Sequence, residues 1–229
     1  MASFTTTVPV NVPEISLSEG GRPDRTRLRR ARLGLIVAVT PILMLFVSFT
    51  SAYIVRQGLP TFDPRTNSLI RDWIPVRLPS ILLVNTCVLL LSSVGMELAR
   101  RQIKNEAAFA SAAPNPAVSP TKAKGLPWLS MTLVLGLLFL FGQWTAWRQL
   151  AANGFHVATT PSSSFIYLLT GAHAIHLIGG VIALFVACVA SSLHRPATTR
   201  SIVVDITSWY WHFMAVLWVY ILCLLKFAS

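Results

Sequence analysis

Five stretches of the chain are almost unbroken in apolar side chains: about 33–55, 78–99, 126–147, 164–190 and 206–227. Each is longer than the ~20 residues with which an α-helix crosses ~30 Å of hydrocarbon. Apolarity within them is continuous and does not alternate, so they read as helices and not as barrel strands. The pattern predicts an all-α membrane protein, a bundle of five transmembrane helices. No internal repeat at solenoid or transporter spacing is visible.

The segments outside these runs divide the chain further. Residues 1–30 read as a mobile N-terminal tail, and 31–229 as a single membrane domain. The first 21 residues mix Thr, Val, Pro, Ser and Glu without Lys or Arg, so they do not resemble a signal peptide. Residues 105–125 are rich in Ala, Pro and Ser, the composition of a flexible connector.

Composition sharpens the membrane reading. Only 12% of residues are charged, against about 25% in soluble domains. The net charge is +11, yet it lies outside the apolar runs and not along an amphipathic stripe. Membrane insertion accounts for both facts; a nucleic-acid partner would account only for the charge, and none is expected. With the N-terminus inside, thirteen Lys and Arg fall in cytoplasmic segments and six on the opposite side. The positive-inside rule then places the N-terminus in the cytoplasm and the C-terminus outside.

Ionisable groups within spans are costly and need individual accounts. They are Glu97, His173, His176 and His212, with Lys226 near enough to a helix end to snorkel. Arg148 and Asp205 fall at span boundaries, where they are expected to reach water. No helix carries a chain of acids or a serial Arg pattern, which argues against a self-contained pump or voltage sensor. Cys87, Cys188 and Cys223 form no C-x-x-C pair and read as small packing residues.

His173 and His176 share a helix face at i,i+3. Haem ligation needs two imidazoles at one depth on different helices. At 1.5 Å per residue, His173 and His176 lie about 14 and 18 Å from the outer end of their span, and His212 about 9 Å above the inner end of its own. The heights do not match, so no metal site is expected. Packing is the better reading, with His173 and Thr170 donating hydrogen bonds across a helix contact. Gly171, Gly179 and Gly180 would allow the close approach.

Glu97 has two readings: an ion pair with Arg100 and Arg101, or a proton-entry carboxylate at the cytoplasmic side. Trp211, Ala215 and Trp218 recur at i,i+4,i+7. They read either as an aromatic belt with a lipid-facing stripe or as a lipid-headgroup or partner contact.

Four motifs together resemble a known family. "TGAHAIHLIGG" (170–180) and "WYWHFMAVLW" (209–218) resemble the last two helices of subunit III of haem–copper terminal oxidases. "NTCVLLLSS" (85–93) and "SAYIVR" (51–56) resemble earlier stretches of the same family, in the same order. The resemblance implies a non-catalytic accessory subunit in a bacterial cytoplasmic membrane, without haem or copper of its own. Those cofactors would belong to a catalytic and an electron-accepting partner, beside which this chain would hold phospholipid and support proton uptake. His173, His176, Trp211, His212 and Trp218 would be lipid or helix-interface residues, and Glu97 the candidate proton-entry carboxylate. Accessory subunits of nitric oxide reductases are a close alternative, and a small transporter a more distant one. Three departures stand out. The family commonly has seven helices where five spans are present here. Its third-helix acid aligns with Pro41 or Ile42, and the Asp that commonly follows W-Y-W-H-F-x is Ala215.

Overall fold

The computed structural model describes residues 22–63, 67–70, 73, 79–112, 125–157, 160–193 and 197–227. Among them lie five helices long and apolar enough to cross a membrane. They are α1 (Arg22–Gly58), α2 (Ile81–Ala112), α3 (Leu126–Ala152), α4 (Pro161–Ser192) and α5 (Ala197–Phe227). A short antiparallel hairpin, β1 (Thr61–Asp63) and β2 (Ser68–Ile70), follows α1 with Phe62 paired to Leu69. The apolar pattern gave no sign of these two strands.

The helices outrun the apolar segments at most ends. Hydrogen bonding from i to i−4 does not require apolar side chains, so a helix can continue past the hydrocarbon until it meets a stop. Residues 22–30, assigned above to the tail, form the start of α1, while residues 1–21 lie outside the described residues. Likewise 105–112 of the expected connector is the end of α2, and 113–124 lies outside the described residues.

Two ends show why the chain turns where it does. Thr160 caps α4: its hydroxyl accepts from the Ser163 amide, Ser163 Oγ accepts from the Thr160 amide, and Pro161 opens the helix. Such a reciprocal box satisfies amides that would otherwise face the membrane surface unpaired. At the other end of α3, Gly154 adopts φ +85°. The Phe155 amide then reaches back to the Leu150 carbonyl and the Gly154 amide to Ala151, a reversal that favours glycine.

Helices α2, α3, α4 and α5 close a ring in which each packs on two neighbours, and α1 lies outside against α5 and α4. Only 11% of the apolar window of α1 is buried, against 28–39% for the other four, which makes it the peripheral helix. No residue from Thr26 to Leu45 is buried; Phe46 and Tyr53 are the first points at which α1 sinks into the core. Tyr53 packs edge-on against Trp73 and Phe165, fixing that end of α1 to the start of α4. The outer faces of the bundle expose Val37, Leu91, Phe141, Ile175 and Val216, a surface suited to acyl chains and not to water.

Candidate functional site: a charged cluster and the interior beneath it

At the end of the bundle where α1, α3 and α5 begin, the charged side chains converge on Asp205. The carboxylate is 1% exposed, although Asp205 was expected at a span boundary with access to water. The reason for the difference is that α5 starts at Ala197, so Asp205 stands two turns inside the helix. Oδ2 accepts from Arg32 of α1 at 2.8 and 3.1 Å. Oδ1 accepts from Arg100 at 3.2 Å and pairs with Lys104 at 2.6 Å, both on α2. One buried anion thus ties three helices.

Arg100 also grips Glu97, donating Nε to Oε2 at 2.7 Å and Nη2 to Oε1 at 2.9 Å. Arg101 adds a third bond to Oε1 at 2.8 Å. On the other flank, His212 Nε2 lies 3.7 Å from Glu97 Oε2, and its Nδ1 is 2.5 Å from Ser93 Oγ. Ser93, Glu97, Arg100 and Lys104 recur every three or four residues, so one face of α2 presents them all to α5. Four cations (Arg32, Arg100, Arg101, Lys104) meet two carboxylates, which leaves this end positive. Further out, Glu106 of α2 and Arg200 of α5 form a separate pair at 2.6 Å. Sequence reasoning missed Ser93, Arg32 and Lys104; the four-residue spacing on α2 was the available signal.

Below the cluster the interior is aromatic with a few directed polar contacts. Trp211 and Trp218 are fully buried on the inner face of α5, and Ala215 between them is buried too. The lipid-facing stripe is therefore corrected: this face points to the bundle axis. Trp211 Nε1 donates to Ser92 Oγ at 3.2 Å and Trp218 Nε1 to Thr86 Oγ1 at 2.9 Å. The Trp211 ring fits because Gly136 and Gly180 face it; a Cβ at Gly136 would stand 2.7 Å from ring carbon Cη2. Asn85 Nδ2 donates to the Phe139 carbonyl at 3.0 Å, and Trp147 Nε1 to Thr170 Oγ1 at 3.1 Å.

The histidines part company. His173 is fully buried, packed against Trp218 at a centroid distance of 5.1 Å and against Phe139 at 6.1 Å. Neither ring nitrogen has a hydrogen-bond partner among the described residues, so the expected donation across the helix contact is not made. His176 donates from Nδ1 to the Ala172 carbonyl of its own helix at 2.7 Å and turns its ring to Phe46 of α1. His212 faces α2 instead, so facing as well as depth keeps it from His176. Gly180 does give a close approach, to Tyr210 and Trp211, whereas Gly171 and Gly179 meet only ordinary or distant contacts. Among the described residues no three His, Cys, Asp or Glu form a group that could hold a metal.

Comparison with known proteins places this arrangement. A family model described as cytochrome c oxidase subunit III matches residues 20–229. The chain belongs to the cytochrome c oxidase subunit III family. It is therefore a multi-pass membrane protein of that family, as the four motifs implied. Among its relatives, a probable cytochrome c oxidase subunit 3 of Mycobacterium tuberculosis is 29% identical over 100 residues, 44% of this chain and 49% of the relative. The subunit 3 of Corynebacterium diphtheriae is 30% identical over 92 residues, 40% of this chain and 45% of the relative. That of Paracentrotus lividus is 25% identical over 190 residues, 83% of this chain and 66% of the relative. The chain thus spans about half the length of these bacterial relatives. Within this subunit III chain, Ala215, which lies between Trp211 and Trp218 along α5, is buried like them.

Proposed function

We propose that the chain is a non-catalytic accessory subunit of a respiratory haem–copper oxidase, seated beside a catalytic and an electron-accepting subunit in a bacterial cytoplasmic membrane. The observation that carries this reading is the family match over residues 20–229. Haem, copper and oxygen reduction then belong to the neighbours. The N-terminus and the basic end of the bundle face the cytoplasm, where each Lys or Arg near an anionic leaflet contributes about 1 kcal/mol of attraction. Phospholipid is held along the outside of the bundle. A cavity of about 320 Å³ between α1 and α5, lined by Leu43, Phe46, Val47, Phe213, Val216, Leu217 and Tyr220, has the apolar lining an acyl chain requires.

Trp211, Trp218 and His173 serve as interior helix-interface residues, while His176 and His212 brace α1 and α2 against α4 and α5. Glu97 is the charged counterpart of these braces. Three guanidinium N–H groups occupy its carboxylate, which favours a fixed structural anion over a group that exchanges protons. Glu97→Gln in the assembled complex is accordingly expected to leave the pH–rate profile of turnover unchanged while lowering stability by about 1 kcal/mol. A displaced profile would return Glu97 to proton entry.

Purification of the complex through a tag on this chain tests the assignment. The expected product contains haem and copper and consumes oxygen. A copper-free complex that reduces nitric oxide would move the chain to that enzyme's accessory subunit. A colourless chain purified without partners would overturn both readings.

A further inference from the structure

Two buried polar side chains in the interior have no account in the packing described above. His173 on α4 is fully buried and Gln143 on α3 is 2% exposed. Both ring nitrogens of His173 and Oε1 of Gln143 find no hydrogen-bond partner among the described residues. A buried polar group left unpaired costs roughly 1–3 kcal/mol, so two such groups at one place call for a shared solution.

The helix register puts them at one place. Antiparallel α3 and α4 are fixed by two contacts: Trp147 Nε1 on Thr170 Oγ1, and the ring of Phe139 against that of His173. Gln143 is one turn from each of Phe139 and Trp147, so it falls level with the Thr170–His173 turn. Gln143 and His173 are both interior, on facing helices, yet no direct hydrogen bond joins them. Buried polar groups at one level of two adjoining helices that make no direct hydrogen bond can be joined through a bridging water. Two donors of the interior are already committed, Asn85 Nδ2 to the Phe139 carbonyl and Trp218 Nε1 to Thr86 Oγ1.

We propose that Gln143 and His173 hold one internal water molecule between α3 and α4. A neutral imidazole presents one donor and one acceptor, and the Gln143 carbonyl one acceptor. A water can donate to Gln143 Oε1 and either donate to or accept from one ring nitrogen of His173, which gives it two partners, within the two to four that buried waters typically have. The role of His173 in its motif is then to anchor this water against Phe139 and Trp218.

The test uses the full chain. In a map fine enough to show ordered water, a single spherical density is expected within hydrogen-bond distance of Gln143 Oε1 and of one His173 nitrogen. A Gln143 carboxamide bonded directly to the ring, or a dry contact, would overturn the proposal. Unfolding of His173→Phe, Gln143→Leu and the double variant gives an independent reading. Each single change strands the other group and the water, so the double variant should be less destabilised than the two singles combined, by about tenfold in the folding equilibrium. Strict additivity would count against a shared water. Should the variants fail to fold, the map of the parent protein still decides.

Discussion

Asp205→Ala is expected to lower the stability of the solubilised protein by about 3 kcal/mol, with α1 the first element to come loose. Removing one partner of a buried ion cluster costs about 3–5 kcal/mol because the opposite charges are left uncompensated. Here the lower end applies. Arg32 and Lys104 are 46% and 40% exposed and regain water when released, while Arg100 keeps its bonds to Glu97. The effect on α1 follows from its attachment. Between Thr26 and Leu45 it buries no residue, and along this stretch the Arg32–Asp205 pair ties it to α5. Pro41, which removes a backbone donor within the helix, lies between that pair and the buried Phe46. Thermal unfolding measures the stability, and protease cleavage or amide exchange along residues 26–45 reads the helix. A normal melting point with protection of 26–45 unchanged would mean that apolar contacts hold α1 by themselves.

The five spans were legible because hydrocarbon sets a minimum length for a crossing helix and tolerates few polar groups within it. What lay outside the hydrocarbon was not. The nine residues by which α5 begins before its apolar run carry Asp205 from a supposed boundary into the interior, and no hydropathy pattern registers that extension. The i,i+3 and i,i+4 pairing of Glu97 with Arg100 and Arg101 could be written down from spacing alone. The joining of Arg32, Arg100 and Lys104 on Asp205 could not, since it requires three helices to be in register. Inside the bilayer the difficulty is different. A helix apolar all round does not announce its inner face, because lipid and protein interior are equally apolar. For Trp211 and Trp218 the spacing therefore left a lipid-facing stripe and a helix interface both open. Trp211 is received by Gly136 and Gly180, small residues on two other helices, and only their complementarity to its indole marks the inner side.

The same point governs the second large effect, Trp211→Ala. Deleting a buried Trp typically costs about 3–5 kcal/mol, part of it transfer from water and part the cavity left behind. For a helix that unfolds or separates within lipid, the transfer part is small, since the indole exchanges one apolar setting for another. The cavity part remains in full. Trp211 fills the axis of the four-helix ring from α5, against Gly136 of α3 and Gly180 of α4, and no larger neighbouring side chain at those two positions can move in. The Nε1 bond to Ser92 is lost as well. A loss of about 3 kcal/mol is expected, measured as a shift in detergent-induced or thermal unfolding. Trp211→Phe should retain most of the packing and lose about 1 kcal/mol, chiefly the hydrogen bond. The order of the two variants separates the causes. Equal losses would assign the effect to Ser92 and leave the ring to pack around a smaller axis, whereas a much larger loss in the alanine variant identifies the indole volume as what keeps α3, α4 and α5 at their present spacing.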